Sequence, residues 1–89
     1  MEKATFMAIL AIIVEGFEDP NFKSNFATAK ASGDVPAMMA LPMAIQERAF
    51  SAHGLDASTG AAKFKEAGRS YGLDPDVAPW LARMKAALG

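Results

Sequence analysis

GLDASTGAAKFKEAGRSYGLDPD is the sequence of residues 54–76, and the Gly-Leu-Asp that opens it returns near its end. Gly54-Leu55-Asp56 and Gly72-Leu73-Asp74 each supply what the junction between two helices needs. A glycine reaches the left-handed conformation that closes a helix, because it has no Cβ to clash. A hydrophobic residue then folds back over the helix just ended. An aspartate accepts hydrogen bonds from the free N–H groups of the next first turn, where its charge also suits the helix dipole. Between the two copies, Ala57, Ala61, Phe64, Gly68 and Tyr71 fall on one helical face, with Lys63, Lys65, Glu66 and Arg69 elsewhere.

Working outward, the same punctuation divides the whole chain. Gly16, Gly33 and Gly89 also follow runs of helical composition, and Asp19 and Asp34 precede the next runs. Pro20 and Pro75 stand directly after Asp19 and Asp74, where a missing N–H costs nothing. The spacing predicts five helices, roughly over 3–15, 20–32, 35–53, 57–71 and 75–88, in one all-α bundle with tight turns. Pro79 falls early in the last of these, so residues 75–78 read as a separate turn before the helix proper. No second strand-like run exists to pair with Ile12, Ile13 and Val14.

The 89 residues amount to one domain, 1–89, and 52% of them are hydrophobic. Without cysteine, neither a disulfide nor a thiolate-bound metal can staple the fold, so packing alone must hold it. The first run is its most apolar part: Phe6, Met7, Ile9, Leu10, Ile12, Ile13 and Val14 leave no polar stripe. Such a helix is buried on every side, either at the centre of the domain or between two subunits. Phe6, Ile9, Leu10 and Ile13 are its candidate buried or interface residues. The run from Phe6 to Val14 is too short to span a bilayer, which needs ~20 residues. It also lacks the basic start and the cleavage site of a signal peptide, which points to a cytoplasmic protein.

The third run combines Pro42, expected to kink or split it, with an apolar arc of Met39, Met43, Ile45, Ala49 and Phe50. Gln46 and His53 fall near the middle of that arc, seven positions apart. They read either as a polar pair facing a pocket or interface, or as structural groups, His53 serving the helix end beside Gly54. Met38, Met39, Met43, Gln46, Phe50 and His53 are therefore the candidate interface or pocket residues. Methionines adapt their shape and recur on surfaces that accept partner helices.

Catalytic and metal chemistry find little material. One histidine and no cysteine exclude the common zinc arrangements. The glycines stand singly, so no phosphate loop is formed, and no serine sits in an elbow beside His53. Asp74-Pro75-Asp76 lacks the later ligands of a calcium loop. The expectation is a protein with no enzymatic activity and no cofactor. Net charge is −1, with an acidic corner at Glu15, Glu18 and Asp19 and a basic one at Lys63, Lys65 and Arg69, which is no footprint for nucleic acid.

Three functions fit these residues. The first is a protein-interaction module that self-associates as a homodimer or larger, on the strength of the first helix and the methionines. The second is a small carrier holding an apolar or acyl ligand between helices, its head group met by Gln46 or His53. The third rests on residues 67–83, where Ala67, Tyr71, Gly72, Leu73, Ala78 and Leu81 resemble a helix-turn-helix in spacing. Against DNA binding, the second helix of that pair opens on Asp74 and Asp76, the wrong sign for phosphate.

Overall fold

The computed structural model describes residues 1–88, and among them it shows five α-helices and no strand. They are α1 (Lys3–Glu18), α2 (Pro20–Ser32), α3 (Val35–Ala52), α4 (Ala57–Tyr71) and α5 (Ala78–Leu88). The all-α bundle expected from the glycine–aspartate punctuation is the observed architecture. Gly89, the last of the punctuating glycines, lies outside the described residues.

α1 is the axis around which the others pack, and it touches all four. Its side chains form two neighbouring ridges at four-residue spacing, the repeat that stacks residues along one face of a helix. Ile9, Ile13 and Phe17 pack with Phe22 of α2 and with Ile45, Ala49 and Phe50 of α3. Phe6, Leu10 and Val14 pack with Ala67 of α4 and with Val77, just ahead of α5. All six ridge side chains are completely buried within one chain. Of the two settings open to this helix, the structure realises the central one. Burial on every side is not realised: Ala4 and Glu15 are exposed or nearly so and Ala8 and Ala11 half-buried, so a face of small residues runs along the surface.

Two glycines set how closely the helices approach. Gly16 does not end α1, as its spacing suggested, but lies inside its last turn. A Cβ there would sit 2.7 Å from Ile45 Cγ2, so glycine is what lets α3 come this close. The chain turns instead at Asp19, which closes α1 and caps α2 by accepting from the N–H groups of Asn21 at 2.9 Å and Phe22 at 3.4 Å. Gly60 plays the same part between α3 and α4, where a Cβ would lie 2.7 Å from Phe50 Cγ.

The two look-alike junctions fold differently. Gly54 has φ +71°, the Leu55 N–H donates to Phe50 O at 2.9 Å, and Leu55 packs back on the core. That is the left-handed closure its sequence suggested. Gly72 instead stays helical at φ −60° and ψ −26°, and a Cβ there would meet Gly68 O at 2.7 Å. Leu73 is consequently thrown outward, 99% exposed. Asp74 then closes a tight turn, its carbonyl accepting from the N–H groups of Val77 and Ala78 and its Oδ1 from the N–H of Asp76 at 2.8 Å. The separate turn expected ahead of the last helix is thus present over 75–77, and α5 starts at Ala78 with Pro79 in its first turn.

α3 is one continuous helix despite Pro42. The expected split does not occur. Asp34 caps the start of the helix by accepting from the Ala37 N–H at 3.2 Å.

Candidate interaction surface

α4 meets α3 at Phe50, near the C-terminal end of α3, and one face of the N-terminal half of α3 is exposed. Val35, Met39 and Met43 stand four residues apart along this face and are 59%, 63% and 51% exposed. Among the described residues they are three of the four large hydrophobic side chains that are mostly in solvent; the fourth is Leu73. The row lies in the longest stretch of the helix without a charge: Val35 to Gln46 contains no Asp, Glu, Lys or Arg. Pro36, Ala40 and Ala44 are exposed beside the row and widen the apolar surface.

The six candidate residues of this region are not brought to one pocket. Met39 and Met43 form the exposed face, and Met38 is half-buried beside it. Phe50 belongs to the core, packed on Gly60 and against the Phe64 ring at a centroid distance of 5.7 Å. Gln46 is half-buried, and among the described residues no buried side-chain polar atom lacks a partner. His53 is exposed at the helix end, where its backbone N–H donates to the Phe50 carbonyl and the N–H of Gly54 to that of Ser51, both at 3.0 Å. Phe6, Ile9, Leu10 and Ile13 are enclosed by the chain itself and offer nothing to a second subunit while the fold is intact.

A concave site lies elsewhere. A solvent-open groove of about 580 Å³ lies where α1, α2 and α3 meet. Ile12, Phe22, Leu41 and Ile45 give it an apolar floor, and Glu15 and Arg48 are among its polar lining. None of the three methionines, nor Gln46 or His53, lines it. It was not foreseen from the sequence, because its walls come from three helices and share no spacing along the chain.

Part of the acidic corner is used within the fold: Asp19 caps α2 and Glu18 pairs with α5. Glu18 Oε1 accepts from Arg83 Nη2 at 2.6 Å and Glu18 Oε2 from Arg83 Nε at 3.2 Å, joining the end of α1 to α5. This hydrogen bonding holds the Glu18 carboxyl below the usual carboxylate range and raises the Arg83 guanidinium. At the other end of α1, Lys3 Nζ lies 2.8 Å from Asp74 Oδ2 and 2.9 Å from Asp76 Oδ2. Their hydrogen bonds raise the Lys3 ammonium, and the bond from Lys3 is the main cause lowering Asp74. The acidic pair that opens residues 74–76 is thus paired with the chain's own lysine.

α4 and α5, the helix-turn-helix candidates, both pack on α1 rather than chiefly on each other, and Leu73 points to solvent where that motif wants a residue between helices. Among the described residues no three His, Cys, Asp or Glu side chains are grouped to hold a metal, and no helix is long and apolar enough to cross a membrane. No protein-family model matches the chain, and no curated protein or solved structure is significantly similar to it.

Proposed function

We propose that this protein is a non-enzymatic interaction module that self-associates, two copies meeting across the uncovered face of α3. The observation that carries this reading is the row of Val35, Met39 and Met43, exposed together inside twelve residues without a charge. Large side chains left in water on one ridge gain free energy when a second apolar surface covers them. A second copy suits the row because it is uncharged: two such faces can meet about a two-fold axis with neither like charges opposed nor a charge left unpaired. Methionine adds adaptability, since its unbranched side chain repacks to fit what it meets. The non-enzymatic part rests on the scarcity of nucleophile–base pairs, with His53 the one histidine and cysteine absent.

A carrier of an apolar ligand has less support. The groove between α1, α2 and α3 is open and part polar, and the methionines offered as its lining stand outside it.

Native mass spectrometry with light scattering tests the proposal. The wild-type chain is expected as a dimer, and the Met39→Lys/Met43→Lys double variant as a monomer of unchanged helicity, because both side chains are already in water. A wild-type chain that stays monomeric up to roughly 1 mM, where the free energy of association is under about 4 kcal/mol, overturns it. An adduct of lipid mass on a monomer would bring the carrier forward instead.

A further inference from the structure

α5 is held unlike any other helix. None of its residues is buried, whereas each of the other four helices sinks at least two. It lies along α1, and its last residues reach α2, where Lys30 Nζ donates to Leu88 O at 3.4 Å. At one end of α1 it is fastened by the ion pair of Arg83 with Glu18, and at the other the link ahead of it is held by Lys3 with Asp74 and Asp76. Exposed pairs of this kind contribute little and exchange readily. Its tether is equally slight: Gly72 is already helical and Leu73 is 99% exposed, so re-aiming the link gives up few apolar contacts. A helix that packs on the core without sinking any residue of its own is where local opening concentrates.

The surface beneath α5 cannot stay bare. Phe6, Leu10, Val14 and Val77 are fully buried in one cluster, with Trp80, Leu81 and Met84 of α5 packed against it. When α5 lifts, the occupant with the right side chains and an arginine placed for Glu18 is another α5. We infer that a second copy of this chain is bound by exchange of α5, each α5 lying on the α1 of its partner. Every contact of the closed chain is then kept except those of the link at residues 72–76, which is the condition for exchange at low cost. This rests on the self-association reading only in that the partner is a second copy; the surface is a different one.

Charge reversal tests it directly. Glu18→Arg places two arginines together in a closed chain, and Arg83→Glu places two glutamates together. When the two variants are unfolded together and refolded, exchange of α5 sets opposite charges against each other at both contacts. The unaltered Arg83 of the first variant then meets the unaltered Glu18 of the second, and the two reversed positions meet each other. Neither variant can form either attractive pair alone. Native mass spectrometry is expected to show a heterodimer enriched roughly threefold over random pairing, with a melting temperature above that of either variant refolded alone. Separate monomers, or dimers in random proportion as contact through α3 alone gives, overturn the inference. The Met39→Lys/Met43→Lys variant reads the α3 face separately, so failure of one proposal is not failure of the other.

Discussion

A methyl group added at Gly60 would lie 2.7 Å from Phe50 Cγ and 2.9 Å from its Cβ, whereas one added at Gly68 meets nothing within 4 Å. Both glycines are inside α4, so alanine improves helix propensity equally at each. Packing decides the sign. Gly68→Ala is expected to stabilise by about 0.5–1 kcal/mol, the ordinary gain of alanine over glycine in a helix. Gly60→Ala is expected to destabilise by about 1–3 kcal/mol, because a core ring must move. Urea denaturation of the two variants checks both, and equal shifts of one sign would refute the close approach of α3 and α4. The same contrast explains what the chain's glycines tell a reader. Gly33 and Gly54 are left-handed closures, as their spacing implies. Gly16 is a point of close approach and Gly72 remains helical. Glycine permits a positive φ and a close approach alike, and only the neighbour in space decides which is used.

Among the elements, the junctions that share Gly-Leu-Asp separate what is legible from what is not. Helix number and most boundaries follow from local chemistry: a capping aspartate, a proline after it, an apolar period. Whether the leucine folds back depends on the glycine before it. Leu55 packs on the core because Gly54 turns left-handed; Leu73 is exposed because Gly72 does not. Leu55→Ser is expected to cost about 1–2 kcal/mol through lost burial. Leu73→Ser is expected to stay within about 0.5 kcal/mol of wild type, since its side chain is already in water. Thermal melts of both variants distinguish them. For the candidate surface, the methionines drew attention to α3, and Met39 and Met43 are exposed there while Met38 is half-buried. Which methionines stay exposed was not legible, because the reach of α4 over α3 is a tertiary fact. Phe50 shows this well: it follows Met43 by two turns, yet α4 covers it.

For the whole molecule, the decisive arrangement is one apolar helix packed on two ridges by four others that are each partly polar. At this size a domain buries only roughly 60–65% of the surface its unfolded chain exposes, so modest polar contributions are felt. They come chiefly from carboxylates held in the charged form. Asp56 is lowered first by the backbone N–H of Thr59, at 2.7 Å from its Oδ1, and then by the Thr59 hydroxyl. Asp74 is lowered by Lys3 and Glu18 by Arg83. The ordinary values are 3.8 for the aspartates and 4.5 for the glutamate, which the unfolded chain recovers. Because the folded values are lower, the unfolded chain binds more protons over this range. Stability from these groups is therefore fully present above pH ~5 and is lost as the pH falls through about 4 and below. Lys3 acts in the opposite sense: its value lies above 10.5, so its contribution persists below that pH and is lost as the pH rises through the folded value. The melting temperature is expected to be level between about pH 5 and 10 and to fall at both ends. Asn caps a helix about as well as Asp but does not titrate, so Asp56→Asn should leave the level region nearly unchanged and make the acid fall shallower. An acid fall as steep in Asp56→Asn as in wild type would mean that the cap at α4 is not among the groups whose protonation opens the fold.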